Sequence, residues 1–324
     1  VFHNNRINFT FDIYSRRNYD LIGVINTLGT GGEPRKYGNV AKMKSNGVEI
    51  ALNTVNIKTK DFTWTTDLIY SHMHNEVTEL NTLNRMYDYI SGSGFTMPGY
   101  PQRSLFSIPF MGLNNEGLPT FLDQDGNVSV TGINMQEYDP ERLKFLKYEG
   151  PVDPTDVGSL GNVFRYKGVT LNLFITYSFG NVVRLDPVFS SSYSDLTATP
   201  KEFKDRWVKP GDENFTNVPV IASKQQLNNI AFLSRAYQAY NYSTERVAKG
   251  DFIRMKEISL AYEFPKSITQ PLRLSNLSLK LMATNLFLIY ADKKLNGQDP
   301  EFFNAGGVAN PMPKQFTLTL KLGI

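Results

Sequence analysis

The stretch Val247 to Pro265, VAKGDFIRMKEISLAYEFP, restricts the fold more than any other part of the chain. Ile258, Leu260, Tyr262 and Phe264 fall on one side of an extended backbone, and Glu257, Ser259, Ala261 and Glu263 fall on the other. Successive side chains of a strand point to opposite faces, so this is a period-two strand with one apolar and one polar face. Pro265 ends it, because proline cannot donate to a ladder. Full charges on the polar face and aromatics at the proline end of the apolar face fit a strand with lipid on one side and a wet lumen on the other.

The pattern recurs. Strands are expected at 6–14 (Ile7, Phe9, Phe11, Ile13 on one face), 43–56 (Val48, Ile50, Leu52), 62–75 (Trp64, Thr66, Leu68 and Tyr70 outward, Asp67 inward), 158–166, 171–179 (Leu171, Leu173, Ile175, Tyr177, Phe179), 250–264, 277–287 (Leu277, Leu279, Leu281, Ala283, Phe287) and 313–324 (Phe316, Leu318, Leu320, Leu322, Ile324). Between them lie long connections at 15–42, 76–157, 181–249 and 289–312, and short ones at 57–61, 167–169 and 265–275. Long and short alternate, which puts every long loop on one rim. That is the asymmetry of an outer-membrane barrel, with short periplasmic turns and long extracellular loops. On this scheme the C-terminus is periplasmic. Loops beyond about 15 residues are usually functional or disordered, although Ser223 to Tyr240 reads as helical.

Composition narrows the alternatives. The formal net charge of the 324 residues is +3, which gives no argument for nucleic acid. Cysteine is absent, so disulfides and Cys-type zinc sites are excluded. No run of about 18 apolar residues forms a spanning helix, and a negative mean hydropathy is compatible with barrel strands, which alternate. The three histidines are His3, His72 and His74; the last two share a strand face and read as a surface pair in preference to a metal pair. GTGGEP at Gly29 to Pro34 lacks the Lys-Ser/Thr of a phosphate loop. DQDGN at Asp123 to Asn127 echoes the start of a calcium loop through Asp123 and Asp125, but without the downstream Glu the Asp-Gly pair marks a tight turn. No G-x-S-x-G elbow is present, and no Ser and acid of triad type lie near His72 and His74, so no enzyme is expected.

Six blocks in order carry a family resemblance: NGVEIALNT then FTWTTDLIYSHMHNEV, GLNNEGLPTFLDQDGNV, YEGPVDP then GSLGNVFRYKGVTLNLFITYSFG, DRWVKPGDENFTNVP, GDFIRMKEISLAYEFP, and NLF followed by DPEF. The sequence resembles the C-terminal barrel portion of SusC/RagA-type TonB-dependent outer-membrane transporters of Bacteroidota. The resemblance implies an all-β fold: about eight strands of a 22-stranded transmembrane antiparallel barrel, with the signal peptide, plug and early strands absent from this chain. It also implies TonB-driven import of nutrient oligomers, either oligosaccharides or oligopeptides, beneath a SusD-like lipoprotein lid. TonB would act through the missing N-terminal part, and outer-membrane lipid would surround the wall. No cofactor is implied beyond a possible Ca²⁺ in an extracellular loop.

Candidate ligand contacts are the lumen residues Asp67 and Lys280 and the loop aromatics Tyr193, Trp207, Tyr237, Tyr240 and Tyr242, since aromatics stack on sugars. The same aromatics could pack the loop itself, and Trp207 sits in a family-like block where a structural role is favoured. The competing reading is a passive porin, in which 313–324 pairs with 6–14 and closes a small barrel.

Overall fold

A computed structural model describes residues 6–26, 31–33, 35–80, 82, 84–91, 94–193, 196, 199–302 and 313–324. His3 and half of Gly29 to Pro34 lie outside the described residues. Eight strands form one antiparallel sheet in strict chain order: β1 (Ile7–Asn26), β2 (Arg35–Lys58), β3 (Phe62–Leu80), β4 (Asp156–Tyr166), β5 (Val169–Phe179), β6 (Phe252–Glu263), β7 (Asn276–Ala291) and β8 (Gln315–Gly323). All eight expected strands are present.

The register explains why the alternation is so clean. Directly opposed residues of neighbouring strands share a face. Trp64 opposes Phe164, which opposes Leu171, then Leu260, Leu281 and Leu318, so one apolar row crosses six strands. A second row runs Phe9, Leu52, Leu68, Leu160, Ile175 and Met255. Many of these side chains are open to the surroundings: Phe9 is 48% exposed, Leu260 50% and Leu318 68%. An apolar surface this continuous is untenable in water and is the lipid face of a membrane wall. The opposite face carries Asp67, Glu257 and Lys280, as expected, with Phe174 opposing Glu257.

A bulge in β6 adjusts the pattern. Register slips at Lys256, so Met255 and Ile253 join Ile258 and Leu260 on the lipid face while Arg254 turns inward. Asn285, at φ 53°, takes up the matching irregularity on β7. A bulge leaves a residue unpaired and re-aims a side chain; here it delivers Arg254 to buried Asp299 and to Glu301 in the loop after β7.

The structure corrects the first long connection. The segment 15–42 is largely strand: β1 continues to Asn26 and β2 starts at Arg35. A spanning strand needs about 9–11 residues, so the 20-residue β1 and 24-residue β2 extend well beyond the lipid band. There the β1–β2 ladder slips between Asn18 and Ile22, with Asp20 at φ 55°, and the apolar alternation that marks a strand is interrupted. Cross-strand ion pairs, Lys44–Glu76 at 2.9 Å and Lys42–Glu79 at 2.6 Å, support that extension.

The second and third long connections are folded, and they fold together. Residues 81–155, with the helix α1 (Met86–Ile90), contribute Met86, Ile90, Ile108, Leu118 and Phe121 to a core whose other half comes from residues 180–251 through Phe189, Leu233, Ala236, Tyr237 and Tyr240. The expected helical piece is α2 (Lys224–Asn229) and α3 (Leu233–Asn241), with Ser223 capping α2 through the Gln226 amide. On α3 the buried residues Leu233, Ala236, Tyr237 and Tyr240 keep one face, at the helical i, i+3, i+4 spacing. Each fully buried large side chain contributes about 1.5–3 kcal/mol, so this cap has a core of its own. It sits over the inner side of the wall: the Gln102 amide donates to Asn75, which shares parity with lumen-facing Asp67.

Candidate functional site in the cap and lumen

The expected ligand contacts do not converge. Asp67 is held by the Asn53 side-chain amide at 2.5 Å, and Lys280 lies 3.8 Å from Glu257, which also accepts from Asn172. Asp67 and Lys280 are four strands apart, roughly 19 Å at the usual strand spacing.

The loop aromatics are mostly cap core. Tyr237 and Tyr240 are each 1% exposed. The Tyr237 hydroxyl donates to the Val220 carbonyl at 2.5 Å, and Tyr240 meets Phe189 edge-on at 5.0 Å. Burial raises both phenol pKa values. Neither offers a ring face to a sugar, so the stacking role expected for them is corrected to packing. Tyr193 leans on Phe203 at 5.0 Å and accepts from the Ser190 amide. Tyr242 meets Tyr87 edge-on at 5.9 Å, and burial first, then Tyr87, pushes its phenol up to about 12. Trp207 is buried, and its indole N–H donates to Glu213 at 2.8 Å. Sequence pattern could not separate these roles, because the two halves of the core are about a hundred residues apart.

Arg184 joins the two insertions. Its guanidinium donates to the Phe106 carbonyl at 2.6 Å and the Ser107 hydroxyl at 3.2 Å in the first insertion, and to the Ser243 carbonyl in the second. Burial lowers its pKa to about 10, which still leaves it charged at neutral pH.

Asp123 closes a turn. One carboxylate oxygen accepts from the amides of Asp125 at 3.0 Å and Asn127 at 2.9 Å, and Gly126 takes φ 82°. Asp125 pairs with Arg142 at 2.7 Å. Among the described residues no group of three or more His, Asp or Glu could hold a metal. His72 is spoken for by Asp156, 2.9 Å from its Nδ1.

Sequence reasoning missed a cleft of about 290 Å³ in the cap, lined by Arg85, Tyr87, Ile133, Asn134, Met135, Gln136, Arg235 and Gln238. Ile133 and Met135 point into the core, so alternation turns Asn134 and Gln136 outward. Arg235 and Gln238 stand on the exposed side of α3, one turn apart. Arg85 is fixed by Asp88 at 3.1 Å and donates to Gln136 at 3.3 Å. No single residue of this set belongs to a recognisable motif.

A lipid-faced antiparallel wall carrying a folded cap on its inner side defines a section of an outer-membrane transport barrel. The comparisons with known proteins agree. The TonB-dependent receptor P39 of Formosa agariphila is 25% identical over 94% of this chain, and the TonB-dependent receptor SusC of Bacteroides thetaiotaomicron is 25% identical over 100% of it. A chain of the RagAB peptide transporter superposes with a TM-score of 0.70 at 23% identity, covering 98% of this chain and 34% of that one. No family model matches. The chain is SusC/RagA-like, and it spans about a third of the length of the curated relatives it matches, 32% of P39 and 30% of SusC.

Proposed function

We propose that this chain is the C-terminal section of a TonB-dependent importer that carries nutrient oligomers across the outer membrane of a Bacteroidota cell. The observation that carries the proposal is the open wall. Among the described residues β1 and β8 each have a single neighbour, β2 and β7, and they do not pair with each other. Unpaired backbone groups in lipid cost several kcal/mol each, so both edges call for further strands, which favours a large barrel over a small closed porin. The cap then lies at the extracellular mouth, where a SusD-like lipoprotein would cover it, and the C-terminus after β8 is periplasmic. TonB would act through a plug outside this chain. The relatives' names, TonB-dependent receptors and a peptide transporter, favour transport over catalysis. The relatives' names support uptake but leave the choice between oligosaccharide and oligopeptide to the cap chemistry. Deleting the gene and supplying a panel of oligomeric nutrients tests the proposal: growth on at least one should fail and return with the intact gene. Unaltered growth across glycans and peptides would contradict it.

A further inference from the structure

Resting on the import reading, we infer that the inner wall, through Lys58, Arg165, Lys280 and Lys321, docks the acidic face of a domain seated in the lumen and supplied by the rest of the full-length protein. The register puts these cations on one band. Lys58 on β2 opposes Thr63, which opposes Arg165 on β4, and the row continues through Thr170 and Ala261 to Lys280 on β7. Lys321 on β8 opposes Ser278, one inward position nearer the short connections. Opposed residues share a face, and Lys280 faces the lumen beside Glu257, so the whole row does. At the usual strand spacing Lys58 lies roughly 10 Å from Arg165, and Arg165 roughly 14 Å from Lys280. Lys58, Arg165 and Lys321 are exposed and make no ion pair among the described residues, and Lys280 has Glu257 at 3.8 Å. Among the described residues the inward strand positions of the band hold one carboxylate, Glu263, opposite Ser278.

The sign of the occupant follows from how charge is sorted along the wall. Farther from the short connections the inward positions are acidic. Asp12 on β1 directly opposes Glu49 on β2, and Asp67 and Glu257 lie between that level and the cations. Like charges directly opposed are destabilising by themselves. An anion entering from the side of the long connections meets those carboxylates first, and a cation is repelled by the band beyond them. Free cargo of neither sign matches both levels, whereas a resident body with carboxylates turned to the short connections matches the band. The far wall of a barrel of many strands is too distant to supply them, because screening at physiological salt limits an exposed charge to about 8 Å. Arg165 offers a carboxylate a forked pair, and the lysines add point charges. The relatives carry the length for such a body: this chain spans only 32% of P39 and 30% of SusC.

The test uses the full-length transporter in outer-membrane vesicles and a water-soluble carbodiimide, which joins a lysine amine to a touching carboxylate with loss of water. Mass spectrometry of the digest should show Lys280 or Lys321 joined to Asp or Glu of one compact stretch N-terminal to this chain. Adding tetragalacturonate as an acidic cargo probe should leave the yield of those links unchanged. Links confined to Glu257 and Glu263 of the wall, no links, or links displaced by the tetragalacturonate would overturn the inference. Arg165→Glu combined with Lys280→Glu should loosen the domain and raise the ion conductance of single transporters in planar bilayers severalfold. Arg165→Gln combined with Lys280→Gln removes the attraction without reversing it and should give a smaller rise where the reversal prevents assembly. Parental conductance in a variant whose barrel keeps the parent's heat resistance would also overturn the inference. Gene-dependent growth on an oligomer alongside any of those failures would leave the import reading standing, so the two failures are distinguishable.

Discussion

Gly117 lies directly beneath the indole of Trp207: a Cβ added there would sit 2.4 Å from the ring's Cδ2. Gly117 also holds φ +75°, and its carbonyl accepts from the Val220 amide, so it joins the first insertion to the second. Gly117→Ala meets both a backbone penalty and an overpacked ring, together about 2–5 kcal/mol of cap stability. Hydrogen exchange at Val220 and its neighbours should accelerate accordingly. Unchanged protection would mean that the indole has room to move.

The same indole reports on pH. Its hydrogen bond to Glu213 is the largest cause holding that carboxyl below its usual value. A depressed folded pKa means that the contribution is present at neutral pH, above the unfolded value, and is lost as pH falls through the lowered folded value. With Trp64 replaced by Phe, Trp207 is the remaining tryptophan of this chain, since it has two. Its fluorescence should be flat from neutral pH into the mildly acidic range and change below the ordinary carboxylate pKa. A transition near or above that ordinary value would contradict the assignment.

Leu260 stands between Leu171 and Leu281 in the lipid row. Replacing it with Arg should cost about 2–4 kcal/mol near the midplane. The barrel's resistance to heat in detergent gels should fall, while the neighbouring inward position, Ala261, should tolerate Lys far better. Equal effects at both positions would reverse the faces.

Arg254 and Asp299 are the most buried ion pair linking wall and loop, with side-chain exposures of 6% and 10%. Removing one partner of such a pair costs about 3–5 kcal/mol because the other is left buried and charged. Asp299→Asn should therefore loosen residues 292–302 and expose them to protease, and Arg254→Met, which leaves both Asp299 and Glu301 without their cation, should do so at least as strongly. Protection of that loop in Asp299→Asn would show that Glu301 suffices.

Sidedness follows from the alternation of connections. A protease site inserted near Leu196, which is 97% exposed in the cap, should be cut on intact cells. One near Gln270, in the short connection between β6 and β7, should be protected until the outer membrane is opened. The reverse pattern would invert the topology.

The wall was legible because lipid on one side and water on the other impose a period of two on every strand; Leu260, Leu281 and Leu318 announce themselves. Where that asymmetry ends, so does legibility. Beyond the lipid band the β1–β2 ladder slips between Asn18 and Ile22, and Ser15 to Asn26 reads as loop. The cap was opaque for a different reason. Tyr240 finds Phe110 at 5.5 Å and Phe189 at 5.0 Å, residues that are distant in sequence, so local pattern could not show which aromatics were core. The cleft residues were less visible still, because Arg85, Asn134 and Gln238 come together only through the fold, and no motif spacing joins them.

The central claim is that this wall is a section of a larger barrel, and disulfide trapping tests it most directly. Thr10 on β1 opposes Ala51 on β2, so cysteines at those two positions should crosslink and serve as the control. Cysteines at Thr10 and Thr319, tried in several registers in the intact membrane protein, should not crosslink, because other strands separate β8 from β1. Efficient crosslinking of Thr10→Cys with Thr319→Cys would close these eight strands on themselves and contradict the account.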